Sequence, residues 1–517
     1  MPPNHLYLDR PTLIEPIYLL TGASGLVGRY LLAGLLQRGC QVAALIRSSP
    51  RGSAAQRCEE ALGSFERSLL LPRPRVIESN LHSPKLGISP VDLQWLRSRP
   101  VCVIHCAASI RFVRDPSSEE PYRTNVDGTQ QLLAVCRELQ VVHFHHVSTA
   151  YVGSRAATPR IMEAPVDQES LAGNDYELSK IRAECLVRQC SWLPGWTIHR
   201  PSIVVGDSQS SFSSTFHGFY APLQIGAQYA KAFGFSPQAG DWFRQHLGIA
   251  EHDSKNLVPV DWVAESIVRV AVAEPRPNLE RGRILHWTNP RPVACSTMQA
   301  AIVDSIEDKF SNRIVRVDEY NAANRRTDLP HADAFRQQME VYESYFGNDP
   351  VFDTAQANLA DTAPCPVVDY ALLRRLADFA INNNFGWPRP PLPPVPAADI
   401  VETLRNIEWN AHPADAIADC SLSVQATGPG APERLYFVRR QVSGQSCRWF
   451  GANAHLPADV QLDTLVPLSV LAACITGKTE PIAAIDNGYW AIQGTQRHQW
   501  LAILTDWVND RNHRHRV

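Results

Sequence analysis

The stretch YLLTGASGLVGRYLLAGLLQRGCQVAALIR, Tyr18 to Arg47, limits the possible fold more than any other part of the chain. Ile17–Leu20 is a short apolar run of the β type. Gly22, Gly25 and Gly28 then recur at intervals of three. Arg29–Gln37 carries leucines at 31, 32, 35 and 36, a helical period, and Gln41–Ile46 is apolar again. Strand, turn, helix and strand in that order form the unit of a parallel sheet. Glycines in the first turn permit a tight bend, let a phosphate approach bare backbone and let helix and strand pack closely. The helix N-terminus then offers free N–H groups to a pyrophosphate. Such glycines also suit any tight turn. Their place between strand and helix points to a dinucleotide, with Thr21, Gly22, Ser24, Gly25, Leu26, Val27 and Gly28 as candidate holders.

The end of the second strand bears on which dinucleotide. An acid there suits the ribose 2′-OH of NAD, whereas a cation suits a 2′-phosphate. The strand runs VAALIRSSPRG, with Arg47 in the acid's place and Arg51 nearby, so NADPH is expected. Further strands are expected at Val76–Ile77 and Val101–Cys106. The small residues Ala107 and Ala108 follow at a strand's C-terminal end, where ligands sit in open α/β sheets. NVDGTQQLLAVCREL, from Asn125, reads as a helix, and VVHFHHVSTAYVG, from Val141, as a strand entering a polar turn. His143 and His145 share one strand face and His146 takes the other. No carboxylates join them, so no metal site is expected.

Two stretches carry chemistry. Ser148-Thr149-Ala150 closes the strand, and YELSK places Tyr176 and Lys180 four apart, on one helix face. A phenol is a weak acid–base at about 10, and a nearby ammonium is expected to lower it. A hydroxyl from Thr149 would hydrogen-bond a reacting carbonyl oxygen; which of Ser148 and Thr149 does so is open, and Thr149 is favoured.

With 517 residues and 44% apolar content the chain is long enough for more than one core. A net charge of -3 gives no reason to expect a nucleic-acid partner. No run of about 20 apolar residues suggests a transmembrane helix, and the start lacks the pattern of a secretory signal. The 12 cysteines show neither a disulfide framework nor metal spacing, which favours a reducing cytoplasm.

TGASGLVG, NVDGT, VSTAYVG, YELSK and RPSIVVG, in this order, resemble the extended short-chain dehydrogenase/reductases. HCAASIRF, STAYVG, HRPSIVVGD and NLVPVDWV (Asn256 to Val263) resemble the fatty acyl-CoA reductase and thioester reductase branch in particular. The likeness covers about residues 14–290, and YESYFGNDPVFDT and CPVVDYALLRRL extend it loosely to about 390. It implies a Rossmann-type doubly wound parallel sheet with NADP(H) on the glycine turn. It implies catalytic Thr149, Tyr176 and Lys180, with Lys180 also on the nicotinamide ribose, Pro201 lining the nicotinamide and Ile203 in the same cofactor set. Many relatives have an aspartate against the adenine; here the stretch is SNL, so Asn80 and Leu81 would take that place. The implied activity is NADPH-dependent reduction of a fatty acyl thioester, carried on CoA or on an acyl carrier protein, to aldehyde or on to alcohol. Two other classes stay open: a dehydrogenase or epimerase of sterols or sugar nucleotides, and a non-catalytic nucleotide- and lipid-binding protein. Arg47 counts against a tightly held NAD, and the intact Thr149, Tyr176 and Lys180 count against a degraded site.

Residues 1–390 are thus expected to form the reductase domain, with substrate-binding parts at about 208–255 and 291–390. The first is rich in aromatic and small residues, which suits an acyl lid or plain packing. AFRQQMEVYESYF and DYALLRRLADFAINN read as amphipathic helices. GWPRPPLPPVPAADI (386–400) reads as an extended proline-rich linker. In 400–517, VETLRNIEW is expected to open as a helix, and LSVQATG, ERLYFVRRQ and SCRWFGA as strands. Two strand–helix units, from DVQLDT and from YWAIQGT, complete this smaller α+β domain. The order resembles a sterol-carrier-protein-like lipid-binding domain; a dimerisation or spacer module is the alternative.

Overall fold

A computed structural model describes residues 16–389, except 66–70, 72, 155–159, 234–251, 274–281 and 312–346. Beyond 407 it describes the backbone of strands between 408 and 492. Strands β1 (Ile17–Thr21), β2 (Gln41–Ile46), β3 (Arg75–Glu78), β4 (Val101–His105) and β5 (His143–Val147) lie in one sheet. Two short outer pairs contribute β6 (Arg160–Ile161) and β8 (Ile203–Val205), and β7 (Trp196–Pro201) returns to the main sheet. The remaining strands of this region are β9 (Ser254–Lys255), β10 (Leu257–Pro259), β11 (Gly282–Trp287), β12 (Val293–Ala294) and β13 (Val351–Phe352). The seven-stranded order is β11-β7-β5-β4-β1-β2-β3, and every pair is parallel. The order reverses between β1 and β4, which opens a crevice beyond their C-terminal ends, where such sheets bind ligands.

Helices α1 (Leu26–Gln37), α2 (Ala54–Gly63), α3 (Pro90–Leu96), α4 (Gly128–Leu139) and α5 (Asp175–Gln189) link the strands. Parallel strands are covered on both faces, which is why β1 and β4 read as unbroken apolar runs. Alternation sorts their side chains. Tyr18, Leu20 and Ile104 pack with Leu31, Leu35 and Val263 on one face. Ile17, Leu19 and Val103 pack with Leu93, Leu132 and Val187 on the other. Val263 belongs to α7 (Val260–Ala273), which follows α6 (Tyr220–Phe233).

A second core lies beside the first. α6, α8 (Cys295–Phe310) and α9 (Tyr370–Asn382) bury Phe219, Tyr220, Leu223, Ile302, Leu373 and Leu376 together. Three short pairs form separate two-stranded ribbons outside the main sheet: β8 with β10, β9 with β12 and β6 with β13. Phe219 and Tyr220, in the stretch that suits either an acyl lid or plain packing, are packing residues here. Within the 208–255 stretch, 234–251 lies outside the described residues, as does AFRQQMEVYESYF.

The C-terminal strands are β14 (Glu408–Ala411), β15 (Cys420–Thr427), β16 (Leu435–Val442), β17 (Ser446–Ala452), β18 (Leu462–Pro467) and β19 (Ala491–Ile492). Their order is β14-β17-β16-β15-β18-β19, with β15 and β18 parallel and the other pairs antiparallel. One expectation is corrected: Glu408 and Trp409, read as the end of a helix, pair with Phe450 and Trp449 at the sheet edge. The helices expected after β18 and β19 lie outside the described residues. Among the described residues, no helix is long and apolar enough to cross a membrane.

Candidate functional site

The site begins where the backbone has no room for side chains. Gly22 has φ +73, a left-handed conformation, and a Cβ there would lie 2.6 Å from Ala107 N. A Cβ on Gly28 would lie 1.9 Å from Gly22 O, so α1 closes directly onto the turn. Gly25 caps α1 without a side-chain bond, and the N–H groups of Leu26 and Val27, in the first helical turn, lack intrahelical acceptors. This cradle fits a pyrophosphate.

Thr21 fastens the loop after β4. Its Oγ1 accepts from Cys106 N and Ala107 N, both at 3.2 Å, and meets His105 Nδ1 at 2.7 Å. Thr129 donates to Asn125 O at 2.7 Å, so it accepts from His105 Nε2–H at 3.0 Å. His105 Nδ1 is then the acceptor of the Thr21 hydroxyl. Burial, helped by the Lys180 charge, pushes His105 down to about 3 and keeps it neutral. Asn125 joins the same loop to α5: it exchanges bonds with Ser109 at 2.7 and 2.8 Å and donates to Ser179 Oγ at 2.8 Å.

Arg47 is exposed at the end of β2. A second cation beside it was missed in the sequence. Arg57 donates to Ser24 Oγ at 2.9 Å and to the carbonyl of Arg47. The signal was present: Ser53 and Gln56 form a capping box that starts α2, which puts Arg57 in its first turns. Arg51 instead pairs with Glu60 at 2.9 Å. Beyond β3, Asn80 Oδ1 accepts from His82 N at 3.1 Å, which leaves its amide N–H groups for a base. Leu81 packs beside Gly128, where a Cβ would come within 3.2 Å of it.

The reacting groups gather at the end of β5. Asn174 caps α5 by accepting from Glu177 N at 2.9 Å. One turn on, Lys180 Nζ donates to Val147 O at 2.7 Å, next to Ser148 and Thr149. Lys180 is 2% exposed, and burial pushes its ammonium from 10.5 down to about 8 against the raising effects of Glu184 and Cys106. Glu184, a turn further, is held by Arg200 at 2.9 and 2.6 Å, with both side chains fully buried. Tyr176 is half-buried, edge-on to Phe112 with ring centroids 6.1 Å apart. The expected lowering of its phenol does not occur. Burial first, then Glu177 and Cys106, pushes it above 10.0, and Lys180 turns its ammonium to the Val147 carbonyl instead. Thr149 Oγ1 accepts from Tyr151 N at 3.3 Å, and the buried Ser148 hydroxyl has no hydrogen-bond partner among the described residues.

Pro201 ends β7, and its carbonyl accepts from Ala150 N at 2.9 Å. Ile203 packs with Ala150, Tyr151, Ile161 and Phe352, while Ala107 is partly buried and Ala108 exposed beyond β4. Ser202 and Asn289, not singled out in the sequence, both donate to Asn256 Oδ1 at 2.7 Å. His143 Nε2 meets Thr197 Oγ1 at 3.0 Å and His145 Nδ1 meets His199 Nε2 at 3.1 Å, while both ring nitrogens of the buried His146 have no hydrogen-bond partner among the described residues; no metal-holding group exists among those residues.

Residues 20–267 match the family model described as Male sterility protein. Fatty acyl-CoA reductase 1 of Mus musculus is 28% identical over 290 residues, 49% of this chain and 54% of that protein. The PKS-NRPS hybrid synthetase cheA of Chaetomium globosum is 29% identical over 248 residues, 45% of this chain and 5% of that protein. The chain thus spans about half the length of the fatty acyl-CoA reductases it matches. The terminal R domain from the myxalamid PKS-NRPS biosynthetic pathway superimposes with a TM-score of 0.55 at 23% identity, covering 72% of this chain and 92% of that one. The parallel sheet and its glycine cradle therefore have the Rossmann-type fold of that R domain, and residues 20–267 are similar in sequence to the Male sterility protein family.

Proposed function

We propose that this chain is an oxidoreductase that uses NADPH to reduce a fatty acyl thioester, with Thr149, Tyr176 and Lys180 as catalytic residues. The observation that carries the reading is the bond from Lys180 to Val147 O, which fastens the Tyr176 helix to the strand end bearing Thr149. The similarity to fatty acyl-CoA reductases supports the substrate class, and the cations Arg47 and Arg57 beside Ser24 support NADPH over NADH. Asn80 and Leu81 would flank the adenine, and Ala107, Ala108, Pro201 and Ile203 the nicotinamide side. NADPH, when bound, supplies the hydride.

The chain's own residues handle the oxygen and its proton. Thr149 already accepts the Tyr151 N–H, so its own proton is available to the thioester carbonyl oxygen. As negative charge develops there, this hydroxyl stabilises it. Tyr176 then delivers the proton. Its raised pKa keeps the phenol protonated at neutral pH, the form a proton donor needs. Lys180 fastens the Tyr176 helix to the strand end through Val147 O and would also hold the ribose. The product of hydride and proton addition is a hemithioacetal, which loses thiol to leave an aldehyde. A second cycle would give the alcohol.

Purified protein, NADPH and a long-chain acyl-CoA test this, with products extracted and identified and a carrier-protein-bound acyl group run in parallel. Aldehyde or alcohol formed with matching NADPH oxidation is expected from one donor or both. Tyr176→Phe should lose at least about 100-fold in kcat with NADPH affinity nearly unchanged. Absence of turnover with both donors, or full activity in Tyr176→Phe, would refute the reading.

The proposal extends to residues 400–517 as a sterol-carrier-protein-like lipid-binding domain, supported by the expected strands that recur in the six-stranded sheet. Removing the residues after 390 should then raise KM for long-chain but not short-chain substrate; equal effects would argue for a spacer. Cytoplasmic residence, read from the unpatterned cysteines, belongs to the same proposal.

A further inference from the structure

Tyr151 stands two residues beyond Thr149 in the turn that leaves β5. Its backbone N–H fills an acceptor position of Thr149 Oγ1 at 3.3 Å, so wherever Tyr151 is held, the Thr149 hydroxyl is oriented. Its phenol donates to Asp349 Oδ2 at 2.5 Å. Asp349 comes from GNDPVFDT, a motif to which the reaction above gives no role. The same Oδ2 accepts from Asn256 N at 2.7 Å, and Oδ1 takes Lys255 Nζ at 2.9 Å. The Lys255 and Asp349 side chains are only 6% and 4% exposed. Lys255 also donates to Gly347 O at 2.6 Å, and Phe352 lies edge-on to the Tyr151 ring at 5.6 Å. A buried ion pair adds little net stability over apolar packing. A carboxylate that binds three donors on two other segments does fix direction, because charged hydrogen bonds are short and geometrically demanding.

We propose that Asp349 is a positioning residue: through the Tyr151 phenol it holds the 148–151 turn and so aims the Thr149 hydroxyl. The consequence for rate rests on the reading of Thr149 given above; the effect on the turn does not. Residues far along the chain thereby set the reacting group at the C-terminal end of β5.

Tyr151→Phe tests this in the full-length protein, since it removes one O–H and keeps the ring against Phe352. Amide exchange in the peptide spanning 148–152 should accelerate about tenfold while exchange in β1 and β4 stays unchanged. In turnover, kcat should fall about tenfold with KM for NADPH within about twofold. On a Thr149→Ala background the same change should cost no further rate, which a general loss of stability would not reproduce. Unchanged exchange at 148–152, unchanged kcat, or the same loss on both backgrounds would each overturn the proposal. If the unmodified protein reduces no acyl thioester, the functional reading fails on its own and the exchange measurement still decides the role of Asp349.

Discussion

Lys180→Met replaces a buried ammonium by an apolar chain of similar length. In the folded protein Lys180 is lowered from 10.5 to about 8 by burial, so the fold carries a charge it disfavours. At about 1.4 kcal/mol per pH unit, that gap corresponds to about 3 kcal/mol at neutral pH. Losing the bond from a charged donor to the buried Val147 O costs roughly 2 kcal/mol in return, which leaves a net gain of about 1 kcal/mol. The sign follows from linkage. The folded pKa lies below the unfolded one, so between about 8 and 10.5 the unfolded chain binds more protons and the unmodified protein gains stability as pH rises. The advantage of the variant is therefore full below about pH 8 and fades as pH approaches 10.5. Urea unfolding of both proteins at about pH 7 and about pH 10 measures it. The variant should also lose turnover, so stability and activity move in opposite directions. A variant less stable at neutral pH, or an advantage that grows with pH, would refute the reasoning.

Two other perturbations probe the cofactor side. Gly28→Ala drives a methyl to within 1.9 Å of Gly22 O, a backbone atom that cannot turn aside, so NADPH affinity should fall at least about tenfold in a fluorescence titration. Arg47→Asp should raise KM for NADPH strongly and KM for NADH little, and Arg57→Ala should act in the same direction; equal effects on both cofactors would remove the 2′-phosphate assignment.

The β1–turn–α1–β2 unit was legible because its signals are local: a change of period from strand to helix, and glycines where two backbones meet. Tyr176 and Lys180 were legible as a pair for the same reason, since four residues on a helix fix their common face. The direction of the Tyr176 pKa was not, because it depends on how deeply α5 sinks beside β5 and on where the Lys180 ammonium turns. Arg57 was missed because its capping box went unread, though its reach to Ser24 depends on the packing of α2. Tyr151 and Asp349 are 198 positions apart, and no periodicity connects them. Phe219 and Tyr220 could have lined a channel or filled a core; only the presence of α8 and α9 against them decides for the core.

The neutral His105 beneath the glycine turn makes that corner electrically silent. His105 titrates at about 3, and burial holds His145 and His146 well below their ordinary value. A cluster of imidazoles, the side chains that usually answer to physiological pH, thus carries no charge across the whole range in which the protein would work. Among the described residues gathered at the end of β5, the Lys180 ammonium is pushed down by burial to about 8, near that range. An alkaline shift in the surroundings would be registered there, on the same side chain that joins α5 to the end of β5.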